Sequence, residues 1–361
     1  MKILFITDLY PIKSEEKTTP RTLFNFVKSW KNFGHEIEII KPNFLLNSFI
    51  RRKPFYKNGI YDGVLNLNYQ TPFWFDISRK IRAGITNFSP KNYDLVIAHM
   101  PCGILFADKL GVPFVACVHN SDLTILTNPL YRFHFKKRME NALKNAKAIA
   151  CRSFALKEKL LKIYPEFEEK TFVAPSGIDE NLIKENLEKF STPKIKIVTC
   201  ANYKKYKNIE LVLMATKAIE GIELTIIGKG TDTKKLKNLN PHAKFLGYQP
   251  KEKVLDLMRQ SDVFILPSKG ETFGMVYLEA MASGCITICS KHDGIDGIIK
   301  NGENGFTVVP SVTEIKNILN HIKNMTQNER KLLIQNGFQT IRQYTADKCA
   351  QDYLQQIFKV M

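Results

Sequence analysis

The sequence predicts an α/β protein made of two Rossmann-like domains, each a doubly wound parallel sheet. Three observations carry this reading. A chain of 361 residues is longer than one hydrophobic core usually spans. Short continuous apolar runs alternate with longer amphipathic stretches, as strands covered by helices on both faces do. The alternation also stops at a polar stretch and then starts again.

In chain order, "KILFIT" (2–7) reads as a buried first strand and 21–34 as the helix that follows it. The N-terminus has only five apolar residues before Asp8, too few for a secretory leader. "EIEII" (36–40), "LVIAH" (95–99) and "FVACVH" (114–119) continue the strands, with helices at 103–110 and 134–147. The polar "SGIDENLIKENLEKFSTPK" (176–194) is the linker candidate. Beyond it, "IKIVTCA" (195–201), "ELTIIG" (223–228), "VFILP" (263–267), "CITICS" (285–290) and "FTVV" (306–309) are strand-like. Helices are expected between them at 208–219, 251–260 and 274–283, and after them at 314–323. Near the end, Cys349, Tyr353 and Ile357 recur every four residues beside Leu354 and Phe358. A helical stripe of that kind must bury. The expected domains are therefore 1–175, joined by a returning helix at 343–360, and 178–342. Tandem sheets of this type place a ligand crevice at their strand ends.

Composition narrows the class. With 44% hydrophobic and 24% charged residues, the chain is globular, and no apolar run approaches the ~20 residues that cross a bilayer. The seven cysteines (102, 117, 151, 200, 285, 289 and 349) include no CxxC pair. Neither a disulfide framework nor a zinc site is expected, and a cytoplasmic location fits. The net charge is +18, of which +12 lies in residues 1–175, with 27 basic against 15 acidic side chains. An anionic membrane, nucleic acid, a phosphorylated substrate or a merely solvated lysine-rich surface would each suit that excess. In 43–59, Phe44, Leu45, Leu46, Phe49 and Ile50 interleave with Arg51, Arg52 and Lys53. This suits peripheral docking on the inner face of the cytoplasmic membrane, or a loop with its aromatics folded inward. No RRM, KH or zinc-finger signature supports a nucleic-acid partner.

The most informative stretch is "PSKGETFGMVYLEAMASGC" (267–285), which sets Glu271 and Glu279 among apolar residues. A carboxylate there costs several kcal/mol without a partner. On one continuous helix, eight residues turn by about 80°, so a shared helical face does not explain the pair. Glu271 belongs to the strand-to-helix loop and Glu279 to the second turn of the helix. The amides of Phe273, Gly274 and Met275 could receive an anion between them, which suggests a sugar nucleotide. Equally open on residue types alone, Glu271 caps the helix dipole and Glu279 meets an interior lysine or arginine.

From Pro267 to Ile299 the sequence resembles glycosyltransferase family 4, a retaining group with the GT-B fold, without a gap. The match includes the Glu-(seven residues)-Glu spacing, "FG" and "EAMASG". "YDLVIAHMPCGILFADKLGVPFVACVHNSDL" (93–123), "FVAPSGIDENLI" (172–183), "YKKYKNIELVLMA" (203–215) and "LTIIGKG" are similar to further family segments. The resemblance implies a GT-B fold with an interdomain cleft and a C-terminal helix crossing back. It also implies a retaining, metal-independent hexosyltransferase. A UDP- or GDP-sugar would be the donor, with no cofactor, and a glycan or lipid-linked molecule the acceptor, as in lipopolysaccharide, capsule or cell-surface polysaccharide synthesis. Carried over, Glu271 would contact the donor sugar, Glu279 the ribose, and Phe273, Gly274 and Met275 the sugar and diphosphate. Lys207 would neutralise the leaving diphosphate, His119 would reach the sugar, and Gly228 and Lys229 would lie near the base. Asn202 stands where the family usually has arginine; Lys204 or Lys205 is the substitute expected for that charge. Thr18, Thr19 and Pro20 stand near the family's first Gly-Gly, and Asp293 and Asp296 interrupt its Gly-Gly-Ile-Pro. Competing readings are a GT-B epimerase acting on UDP-N-acetylglucosamine and a non-catalytic basic protein binding membrane or nucleic acid.

Overall fold

The computed structural model describes residues 1–13, 16, 21–44, 56–69, 92–131, 135–185, 189–230 and 233–361. Thr18, Thr19 and Pro20, and the apolar and basic residues 45–53 of the 43–59 segment, lie outside the described residues. The chain divides into two compact units. Met1–Arg152, Leu156–Pro175 and Cys349–Met361 form one; Ser153–Ala155 and Ser176–Lys348 form the other.

In the first unit the strands are β1 (Lys2–Ile6), β2 (Glu36–Phe44), β3 (Gly59–Tyr61), β4 (Val64–Tyr69), β5 (Leu95–His99), β6 (Val115–Val118), β7 (Ala148–Cys151) and β8 (Thr171–Val173). They lie in the order β3-β4-β2-β1-β5-β6-β7-β8. Every pairing is parallel except β3 with β4, which is antiparallel. That hairpin departs from the all-parallel expectation. Asp62 and Gly63 join it, both with left-handed backbone (φ 47° and 77°), so a two-residue turn suffices where a parallel pair would need a crossover. β7 also went unread in the sequence. "AIAC" is short and alanine-rich, with little intrinsic strand preference, yet all four residues are buried between β6 and β8.

The unit's helices are α1 (Thr22–Asn32), α2 (Met100–Leu110), α3 (Asn120–Thr127), α4 (Phe135–Asn145) and α5 (Phe154–Ile163), and the chain's last helix, α12 (Ala346–Val360), completes it. The predicted stripe on α12 is buried at Cys349, Ala350, Tyr353, Leu354 and Ile357. Its anchor is Trp30 of α1, fully buried, whose Nε1 donates to the Ala350 carbonyl at 2.8 Å. Trp30 stacks on Phe26 and lies 5.6 Å, centroid to centroid, from the Tyr353 ring. Replacing Trp30 with Phe keeps a ring but removes the indole's hydrogen bond to α12 and leaves a gap where the larger side chain sat. The expected cost is about 1–3 kcal/mol, seen as a lower urea midpoint at unchanged slope.

The second unit holds β9 (Ile195–Cys200), β10 (Ile222–Ile227), β11 (Lys244–Gly247), β12 (Val263–Ile265), β13 (Ile286–Ser290) and β14 (Phe306–Val308). All pairings are parallel, in the order β11-β10-β9-β12-β13-β14. Its helices are α6 (Ile209–Lys217), α7 (Thr233–Leu239), α8 (Lys251–Arg259), α9 (Met275–Ala282), α10 (Val312–Asn324) and α11 (Gln327–Ile341). β12 and β13 are buried throughout, as a sheet covered on both faces requires. The strand order reverses between β9 and β12, so the chain continues from them toward opposite edges of the sheet. Ligands of open α/β sheets bind at such a reversal. Among the described residues, no helix is long and apolar enough to cross a membrane.

Candidate active site

The loops that leave β9 and β12 carry most of the predicted residues. Asn202 and Lys207 follow β9, whereas Glu271, Phe273 and Gly274 follow β12 and lead into Met275, the first residue of α9. The two loops are tied together. Asn208, in left-handed conformation (φ 53°), donates its amide to the Pro267 carbonyl at 2.7 Å, and the Lys269 N–H donates to the Tyr206 carbonyl at 2.7 Å. This brings the Lys207 ammonium onto Glu271 Oε1, with both side chains largely buried. Ser268 Oγ donates to the same oxygen at 3.4 Å. Burial pulls the Lys207 ammonium down to about 8; the like charge of Lys204 acts the same way, and Asp293 and Cys200 oppose it.

The start of α9 is open. Gly274 is its N-cap, at φ 91° and ψ 70°, and no side chain caps it. A Cβ on Gly274 would lie 2.5 Å from the Tyr277 ring. That ring is fixed, because its hydroxyl donates to the Leu266 carbonyl at 2.7 Å and meets Ser268 Oγ at 2.9 Å. Glycine is thus required for the turn, and among the described residues no side chain caps the helix start. Glu271, in the loop that enters this helix, is paired with Lys207.

Glu279 lies one turn further, with Oε1 at 2.9 Å from Lys251 Nζ at the start of α8. Lys251 is 60% exposed and Glu279 15%, and a rim pair of this kind is worth about 0–1 kcal/mol. It exchanges readily for other donors. Burial, then the Glu279 charge, pushes the Cys200 thiol up to about 11, while Lys207 acts against them. On the β10 side, Gly228 (φ 134°) donates its N–H to the Gly247 carbonyl at 2.8 Å. A Cβ there would lie 1.8 Å from the Ala201 carbonyl oxygen. Gly228→Ala should therefore lower stability by more than the ~1–3 kcal/mol that backbone strain alone costs, because the main chain at Ala201 must also move; the loss is measurable as a reduced Tm. Lys229 places its ammonium 5.4 Å from the exposed Tyr248 ring. Asn202 is exposed, and its carbonyl accepts the Lys204 N–H at 2.7 Å.

With this geometry in place, the comparisons decide the family. Residues 20–182 match the model of Glycosyltransferase Family 4, and residues 179–340 match that of Glycosyl transferases group 1. The chain belongs to glycosyltransferase family 4. An uncharacterised glycosyltransferase of Methanocaldococcus jannaschii is 25% identical over 307 residues, 81% of this chain and 83% of that protein. Anabaena HepE, solved in complex with UDP, superposes with a TM-score of 0.72 at 17% identity over 99% of this chain and 100% of the other. The lipopolysaccharide outer core galactosyltransferase WaaB superposes with a TM-score of 0.72 at 18% identity over the whole of both chains. At these identities the likeness establishes the GT-B fold.

In this family 4 glycosyltransferase, His119 follows β6 and is the N-cap of α3. Its N–H donates to Asp122 Oδ2 at 2.6 Å, and its Nε2 lies 3.1 Å from His99 Nδ1. His99 Nε2 in turn lies 3.3 Å from the Tyr353 hydroxyl. Burial, then the charge of Arg152, pulls His119 down to about 3, so its ring is neutral at ordinary pH. The possible ligand atoms of His99, Cys117 and His119 lie within 4.8 Å of one another. However, Arg152 bears on all three and works against a cation there.

The second unit thus brings Lys207, Glu271 and Glu279 together around the start of α9, with Asn202, Gly228 and Lys229 on the flanking loops; His119 belongs to the first unit. Sequence reasoning missed three partners. Lys251 has nothing in its sequence to mark it among the surface lysines, and His99 ends a strand with no motif of its own around it. Asp293, noted only as a departure from the family pattern, accepts the Glu271 N–H at 3.0 Å.

Proposed function

We propose that this glycosyltransferase moves a hexose from a UDP-sugar to a glycan or lipid-linked acceptor with retention of anomeric configuration, using no metal. The observation that carries the reading is the Lys207–Glu271 pair beside the uncapped start of α9. In the reaction, the bond from the sugar's anomeric carbon to the phosphate oxygen breaks, and its electron pair leaves with the diphosphate. The acceptor oxygen forms the new bond on the same face, and its proton passes to the departing phosphate oxygen. Negative charge grows on the diphosphate while positive charge grows on the sugar. Lys207 and the first-turn amides of α9 stabilise the former. Glu271, released from Lys207, accepts sugar hydroxyls, and Glu279 accepts the ribose hydroxyls. His119 acts as a neutral hydrogen-bonding group rather than a charge.

UDP as the nucleotide is supported by the likeness to HepE, which was solved with UDP. A cell-surface glycan acceptor is supported by the likeness to WaaB. Contact with an anionic membrane through 43–59 rests on its interleaved basic and apolar residues and is tested by flotation with anionic liposomes at low salt, where absence of binding refutes it. The central experiment follows UDP release and the product anomer by NMR. Release that requires an acceptor, gives the retained anomer and survives EDTA is expected. An inverted product, release without acceptor or complete loss in EDTA would overturn the reading.

A further inference from the structure

We infer that Asp293 is a positioning residue that fixes the Glu271 loop in its working conformation. The inference rests on the reading of Glu271 given above. Asp293 follows β13, is only 7% exposed, and its Oδ2 accepts the Glu271 N–H at 3.0 Å. The neighbouring Gly294 lies against the same segment: an added Cβ would come within 2.8 Å of the Glu271 Cβ and 3.0 Å of the Phe273 carbonyl oxygen. The loop bearing Asp293 is itself closed. The Asp296 N–H donates to the Asp293 carbonyl at 3.0 Å, while the Asp296 carboxylate accepts the His292 N–H. A turn from β13, closed by its own hydrogen bonds, therefore holds the backbone of a residue on the neighbouring β12 loop, next to Gly270 (φ 80°).

Asp293 also carries charge. Its carboxylate acts on Lys207 together with Glu271, Lys204 and Cys200, while the Tyr206 ring lies 5.2 Å from the ammonium. Anchoring and charge separate experimentally, because asparagine keeps the acceptor oxygen and loses the charge. The experiment compares wild type, Asp293→Ala and Asp293→Asn by amide hydrogen exchange at Glu271 and NMR titration of Lys207, both without substrate, and then by turnover. In Asp293→Ala, Glu271 exchange should quicken at least about 10-fold and kcat should fall about 10–100-fold, the cost of a misplaced group. Asp293→Asn should restore slow exchange and most of kcat, yet shift the Lys207 titration and the alkaline limb of activity to lower pH. Unchanged Glu271 exchange in Asp293→Ala, or an unmoved Lys207 titration in Asp293→Asn, overturns the inference. Should the alanine variant not fold, Glu271 exchange in Asp293→Asn decides alone: exchange as slow as in the wild type is expected, and quickened exchange overturns the anchoring. Both readouts need no turnover, so a wild type that transfers no sugar counts against the functional reading and not against this anchoring.

Discussion

Replacing Lys207 with methionine lowers kcat by about 10²–10³-fold, the usual loss when one preorganised group that stabilises transition-state charge is removed. The methionine stem keeps the packing against Tyr206 but cannot neutralise the departing diphosphate. It also strands Glu271, which is 19% exposed, and an unpaired carboxylate at that depth is destabilising. The single variant should therefore lose stability as well as activity. Lys207→Met combined with Glu271→Gln should recover much of the stability and none of the activity. That split separates chemistry from folding. The pH dependence adds a sign. Lys207 works as an ammonium, and burial has brought it down to about 8, so kcat/KM should fall as pH rises through about 8. With the anionic diphosphate bound the ammonium is favoured, and the limb in kcat should lie higher. Lys207→Arg, always charged, should erase the limb. A flat wild-type profile to pH 9.5 or so, or a fully active methionine variant, would remove Lys207 from the mechanism.

The second large effect falls on binding. Glu279→Ala should weaken UDP about 10–100-fold, the worth of a charged acceptor losing its hydrogen-bond partners, with kcat at saturation nearly unchanged. The rise in Tm that UDP causes should shrink accordingly. Because Lys251 is already mostly solvated, freeing it costs little, and the ligand-free Tm should hardly move. Lys251→Ala is the control: if Glu279 serves the ribose, removing its rim partner leaves UDP affinity intact. An undiminished UDP shift in Glu279→Ala would refute the ribose role.

How far the sequence reached can be judged residue by residue. Long apolar strands and the two glutamates were legible because burial and loop position leave marks in composition: "VFILP" must be a strand, and Glu271 must follow it. The short β7 and the edge strand β11, with alternating exposure in "KFLG", carried too little hydrophobic signal. The pairing of Lys207 with Glu271 was not legible, since 64 residues separate them and only the adjacency of β9 and β12 joins their loops. Lys251, His99 and Asp293 were hidden for the same reason. Each partner is chosen by strand order, a property that local patterning does not encode.

The Trp30–Ala350 contact has a consequence for synthesis. A ribosome releases the chain from its N-terminus, yet the pocket around Trp30 is closed by residues translated some 320 positions later. The first half to emerge is the last to be finished. Until α12 has left the ribosome, that apolar face stays uncovered, a stage at which nascent chains are prone to misassociation and chaperone capture.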